Sequence, residues 1–116
     1  MRLVKILLAL IAVIIVLDIA FSSALSYYDA NTRQRLVLMA DLELRPHASS
    51  EAMAQFMRRH TTRYALDMTY HHEYAGFVPQ TRLDRLLFDR KVQVVLKLNQ
   101  NNTFMSAEAR VYYTGL

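Results

Sequence analysis

The chain contains no cysteine. That absence removes thiol nucleophiles, iron–sulfur clusters, covalently attached c-type haem and cysteine zinc sites from the chemistry open to this chain alone. It suits an oxidising compartment without pointing to one, because a chain without thiols neither gains disulfides there nor risks wrong ones. Glycine and proline are scarce as well, two of each in 116 residues. With only Gly76 and Gly115 in hand, no Gly-rich phosphate loop, dinucleotide fingerprint or Gly-flanked serine elbow can be written. An excess of charge of either sign is also missing. The formal net charge is +4, and setting aside Arg2, Lys5 and Asp18 of the leader brings it to +3, spread along the chain. A balance so modest and so dispersed argues against a nucleic-acid partner.

What the chain has in abundance is apolar side chain, 53% of residues, and it is densest at the start. Ile6 to Leu17 reads ILLALIAVIIVL, without one polar residue, behind a basic leader holding Arg2 and Lys5. A helix apolar on every side needs a bilayer or a large core around it, and the roughly 90 residues that follow make one small domain with a thin core. The run from Leu3 to Leu25 is long enough, at about 1.5 Å per residue, to cross about 30 Å of hydrocarbon. Asp18 interrupts it. A carboxylate in lipid costs on the order of 3 kcal/mol on insertion scales, which favours a position reaching headgroups or a pairing with a partner subunit. Residues 1–26 are therefore expected to be a retained transmembrane anchor in contact with membrane lipids. The rival reading is a cleaved signal peptide, with Ser22 and Ala24 at the spacing a peptidase requires. Arg2 and Lys5 precede the apolar run and Asp18 and Asp29 follow it. The expected site is thus the inner (cytoplasmic) membrane, with a cytoplasmic N-terminus and the C-terminal domain in the periplasm or exterior.

Residues 27–34 read as a juxtamembrane linker, with Tyr27 and Tyr28 suited to a lipid–water interface. Residues 35–116 read as a small extracytoplasmic α+β domain. Arg35 to Arg45 alternates, with Leu36, Leu38, Ala40, Leu42 and Leu44 on one side, and predicts a first strand. Helical continuation of the anchor is its rival, since Leu, Met and Ala are good helix formers. Ser49 or Ser50 caps a following helix whose Met53, Phe56, Met57 and His60 form a core stripe. Tyr64 to Tyr74 alternates again and predicts a second strand. The sequence AGFVPQ predicts a turn built on Gly76 and Pro79. Thr81 and Asp84 form a capping box for a short helix. Lys91 to Asn99 and Thr103 to Tyr113 predict a hairpin around NQNN, with Met105, Ala107, Ala109, Val111 and Tyr113 facing inward. The expected fold is α+β: an N-terminal single transmembrane helix, then strand, helix, strand, short helix and terminal β-hairpin in a roughly four-stranded sheet.

Catalytic constellations are hard to write. Ser26, Ser49, Ser50 and Ser106 lack motif context for a nucleophile. Asp41 with Glu43, or Asp67 with Glu73, would share a strand face, yet all have basic neighbours and fit a solvated surface. On a regular strand His71 and His72 point to opposite faces, so a metal site would need His71 and Glu73 joined by His47 or His60. No catalytic, cofactor-binding or metal-binding residue is expected. Candidate interaction residues are Asp18 in the membrane and Arg58, Arg59 and Arg63. The arginines suit either a solvated helix terminus or contact with lipid headgroups or an acidic partner. The expected function is that of a non-enzymatic, membrane-anchored accessory subunit of a cell-envelope complex (secretion, pilus or similar assembly), working through contacts with other envelope protein subunits. The alternative is a cleaved, soluble secreted protein whose Tyr64, Tyr70 and Tyr74 line a groove for a small apolar ligand or lipid.

Overall fold

The computed structural model describes residues 1–115. Two compact units are present, Met1–Asn31 and Thr32–Leu116. The first unit is helical from Arg2 onward, the opening part of α1 (Arg2–Glu43). Its apolar run Ile6 to Leu17 is exposed at every position, and α1 is long and apolar enough to cross a membrane. Length and composition alone carry that statement.

The second unit is α+β. It holds the end of α1, then α2 (Ser50–His60), β1 (Arg63–Asp67), β2 (Glu73–Phe77), α3 (Arg82–Leu86), β3 (Arg90–Leu98) and β4 (Phe104–Tyr113). The four strands form one antiparallel sheet in the order β1-β2-β3-β4. Its core joins Leu36, Ala40 and Leu44 near the end of α1, Met53, Phe56 and Met57 of α2, and Tyr74, Val92, Val94, Leu96, Leu98, Phe104 and Ala109 of the sheet. Burying each large apolar side chain of this set contributes about 1.5–3 kcal/mol. The sequence specifies α2 well: the Ser49 hydroxyl accepts from the Ala52 N–H, Glu51 lies in the first turn and Arg58, Arg59 and His60 in the last.

Several expectations are corrected. The strand predicted over Arg35–Arg45 is instead helical as far as Glu43, the end of α1, and the residues read as a linker before it are helical too. Of its alternating residues only Leu36, Ala40 and Leu44 are buried, a spacing of four, whereas Leu38 and Leu42 are 60% and 76% exposed. That is a helical stripe, and Val37 is the single β-branched residue in a run of helix formers.

The second predicted strand, Tyr64 to Tyr74, is instead a hairpin of β1 and β2. The chain reverses over 68–72 because the Asp67 carboxylate accepts from the N–H groups of Thr69 and Tyr70, and His72 adopts a left-handed φ of 49°. Gly76 therefore lies inside β2 and not in a turn. A Cβ there would sit 2.8 Å from the Arg63 carbonyl oxygen and 3.0 Å from Met57 Cε, so glycine is present because α2 and β1 approach too closely for any side chain.

The pairing of β3 with β4 slips between Lys97 and Leu98, and this irregularity turns Phe104 into the core while Met105 faces solvent. The capping box is as expected: the Asp84 N–H donates to the Thr81 hydroxyl and the Thr81 N–H to the Asp84 carboxylate. Leu83 and Leu86 beside it are exposed, so this helix turns no leucine-lined face to the core at those positions.

Candidate functional site

Asp18 lies on α1 directly after the apolar run and is exposed. The three arginines are divided among different tasks. Arg58 Nε donates to the Tyr64 hydroxyl at 3.1 Å. Arg59 pairs with Glu43 at 3.0 Å, and the other oxygen of Glu43 is 3.0 Å from His60 Nε2. Arg63 opens β1 and makes no ion pair or side-chain hydrogen bond among the described residues.

The carboxylates and histidines considered from sequence are dispersed. Asp67 and Glu73 are cross-strand partners of the hairpin, not neighbours on one strand, and Asp67 is occupied by the turn amides, which, Tyr70 first, hold its carboxyl below the usual aspartate range. His71 and His72 both lie in the turn, and His60 is held by Glu43. No group of three His, Asp or Glu residues suited to a metal ion occurs among the described residues. Ser49 caps α2, and the Ser50 hydroxyl is 2.6 Å from that of Tyr74. Tyr64 and Tyr74 pack ring to ring at 6.0 Å, but Tyr70 is out on the turn, so the three tyrosines do not line one groove.

A different surface forms instead, at the end of the sheet where β1 and β3 begin and β2 and β4 finish. Val92, Val94, Leu96 and Leu98 face the helices, so Lys91, Gln93, Val95 and Lys97 face the other way. Register then places Arg63, Phe77, Gln93 and Arg110 in one row across that outer face, with Lys91 opposite Tyr112 just beyond it. Together with Arg85 of α3 these residues, Arg110 excepted, line an open groove of about 920 Å³ that has no acidic residue in its lining among the described residues. Phe77 and Tyr112 meet edge to face with centroids 6.3 Å apart, and the Tyr112 hydroxyl donates to Gln93 Oε1 at 3.2 Å.

The groove's rim is built rigidly. Phe88 and Asp89 both take left-handed φ values, 55° and 50°, where the chain turns from α3 into β3. The end of β4 clamps that turn: Gly115 N–H donates to the Phe88 carbonyl, and the Thr114 hydroxyl bonds both the Asp89 carbonyl and its carboxylate. Gln80 donates to the same carboxylate at 2.7 Å and to the Arg90 carbonyl at 2.9 Å. The Gln80 amide and then the Thr114 hydroxyl hold Asp89 below the usual carboxyl range, so it is ionised at neutral pH. Its nearest cation, Lys91, is 4.0 Å away.

Beneath the rim Arg90 is buried against Asp84, Nη1 to Oδ1 at 2.6 Å. Burial by itself would raise the Asp84 pKa; the Thr81 N–H, the Arg90 guanidinium and the Thr81 hydroxyl outweigh it and hold the carboxyl below its ordinary value. The groove residues could not be grouped from sequence, because Arg63, Phe77, Gln93 and Lys91 become neighbours only through strand register. Comparison with known protein families, curated proteins and solved structures returns no match.

Proposed function

We propose that this chain is a single-pass membrane-anchored accessory subunit of a cell-envelope protein complex, a secretion, pilus or similar assembly, with its second unit in the periplasm or exterior. It works by contact with other subunits and catalyses no reaction. The observation that carries this reading is the opening of α1, where every side chain from Ile6 to Leu17 is apolar and exposed, a surface that water disfavours and lipid accepts. Asp18 at the end of that run supports a role in assembly, since a carboxylate near lipid is relieved by a polar or cationic partner. The positions of Arg2 and Lys5 before the run support the orientation. The contact role is further supported by the structural employment of Ser49, Ser50, Asp67 and Glu43, which leaves those groups occupied with turns, caps and ion pairs.

The test is purification of the full chain from membranes in mild detergent, with intact mass and co-purifying proteins read together. The expected result is an uncleaved chain in the membrane fraction with envelope proteins bound, and loss of those proteins in Asp18→Leu at unchanged membrane recovery. A chain cleaved after Ala24 and found in the soluble fraction would overturn the anchor. Protease protection placing the second unit in the cytosol would overturn the orientation.

A further inference from the structure

The groove at the sheet end has a composition that the role of an anchored subunit does not use. Its cations come from three separate elements, Arg63 from β1, Arg85 from α3 and Lys91 from β3, and converge on one lining that holds no Asp or Glu side chain among the described residues. Like charges gathered in this way repel one another, and an anion between them relieves the repulsion. Arg63 and Arg85 make no ion pair or side-chain hydrogen bond among the described residues, although Asp89 lies close enough to Arg85 for its charge to be felt. Lys91 has only the long contact to Asp89, whose oxygens are already taken by Gln80 and Thr114.

Beside the cations lie two rings. Phe77 and Tyr112 are 39% and 40% exposed, and Phe77 is the direct cross-strand neighbour of Arg63. A ring face left open next to a guanidinium suits a flat group that stacks while its anionic substituent reaches the cations. Gln93, the cross-strand neighbour of Phe77 on the side away from Arg63, gives its carbonyl oxygen to the Tyr112 hydroxyl and keeps its amide N–H groups for a ligand acceptor. The volume of about 920 Å³ falls within the range of roughly 300–1,000 Å³ usual for small-molecule sites.

We infer that this groove is a binding site for a small anionic ligand with a flat ring, its carboxylate or phosphate held by Arg63 and Arg85 and its ring laid against Phe77 and Tyr112. The site lies wholly within the second unit and is independent of whether α1 spans a membrane.

The experiment is calorimetric titration of the full chain, in non-ionic detergent, with 2-naphthyl phosphate, 2-naphthoate, 2-naphthol and inorganic phosphate. Saturable binding of at least one naphthyl anion is expected, with 2-naphthol and inorganic phosphate each at least about tenfold weaker, a difference of about 1.4 kcal/mol. Arg63→Gln and Arg85→Gln should each weaken the naphthyl anion about tenfold or more, as loss of one charge-assisted contact implies. Tyr112→Leu should weaken the naphthyl anions and leave the weak phosphate binding as it was. Arg82→Gln, on the same short helix but outside the lining, should change nothing, and thermal melts of all variants should match the parent because these side chains are exposed. The inference is overturned by any of three results: no saturable binding of either naphthyl anion, equal affinity for inorganic phosphate, or equal effects of Arg82→Gln and Arg85→Gln.

Discussion

Arg90 Nη1 donates to Asp84 Oδ1 at 2.6 Å with both side chains almost out of solvent, 1% and 8% exposed, while the other oxygen of Asp84 accepts from the Thr81 N–H and starts α3. One carboxylate thus fixes the start of a short helix and neutralises a cation at the first residue of β3. Removing one member of a buried pair leaves the other charge uncompensated, which typically costs about 3–5 kcal/mol. Asp84→Ala and Arg90→Met are each expected to destabilise the second unit on that scale, read as a lowered midpoint of urea unfolding. Midpoints within experimental error of the parent would show the pair to be replaceable.

The same pair sets a pH dependence. Asp84 has a folded-state pKa below its unfolded one, so the unfolded chain binds more protons in the acid range and stability rises with pH there. Its contribution is whole above the unfolded aspartate value of about 4 and is lost as pH falls through the lower folded value. Unfolding midpoints should therefore drop between about pH 5 and pH 2, and the drop should be smaller in Asp84→Asn. An identical pH profile for the parent and Asp84→Asn would assign the dependence to other carboxylates.

Gly76 lies where β1 and α2 leave no room for a side chain. A methyl group meets backbone at the Arg63 carbonyl, which cannot swing aside as a side-chain tip would. Gly76→Ala should cost about 1–3 kcal/mol, the usual cost of overpacking. Pairing it with Met57→Ala removes one of the three close approaches, and the combined loss should differ measurably from the sum of the single losses.

Four leucines, two buried and two exposed, distinguish the helical end of α1 from a strand. Leu36→Ala and Leu44→Ala should each cost about 2–5 kcal/mol, because both side chains are in the core. Leu38→Ser and Leu42→Ser should stay within about 0.5 kcal/mol of the parent, as surface substitutions do. A strand would make all four equally sensitive.

The turn at 68–72 depends on Asp67. Asp67→Ala should speed amide hydrogen exchange at Thr69 and Tyr70, which lose their acceptor, while the amides of β3 remain protected. Equal exchange in the two proteins would mean that the turn holds without the carboxylate.

The apolar opening of α1, the caps of α2 and α3 and the run of alternating residues in β3 were all legible, because each is written in consecutive residues. Arg35 to Arg45 misled because Leu36, Ala40 and Leu44 satisfy a period of two and a period of four alike, and only burial separates them. The β1–β2 turn was hidden because it has neither glycine nor proline; a side-chain acceptor and a left-handed histidine do their work. Simple alternation places Met105 inward, and the slip at Lys97 and Leu98 shifts that alternation by one residue. The groove was invisible for a different reason. Arg63, Phe77, Gln93 and Lys91 are brought side by side by cross-strand register, a property of pairs that no single stretch of sequence contains.

Because the sheet follows chain order from β1 to β4, each strand after β1 finds a neighbour already made as it emerges from a ribosome or a translocation channel. The closing step belongs to Phe104, whose backbone exchanges hydrogen bonds with His47 and Ala48, far earlier in the chain. A stalled nascent chain that ends before Phe104 would therefore carry a partly zipped sheet and an open seam, the point at which a chaperone would have most to hold.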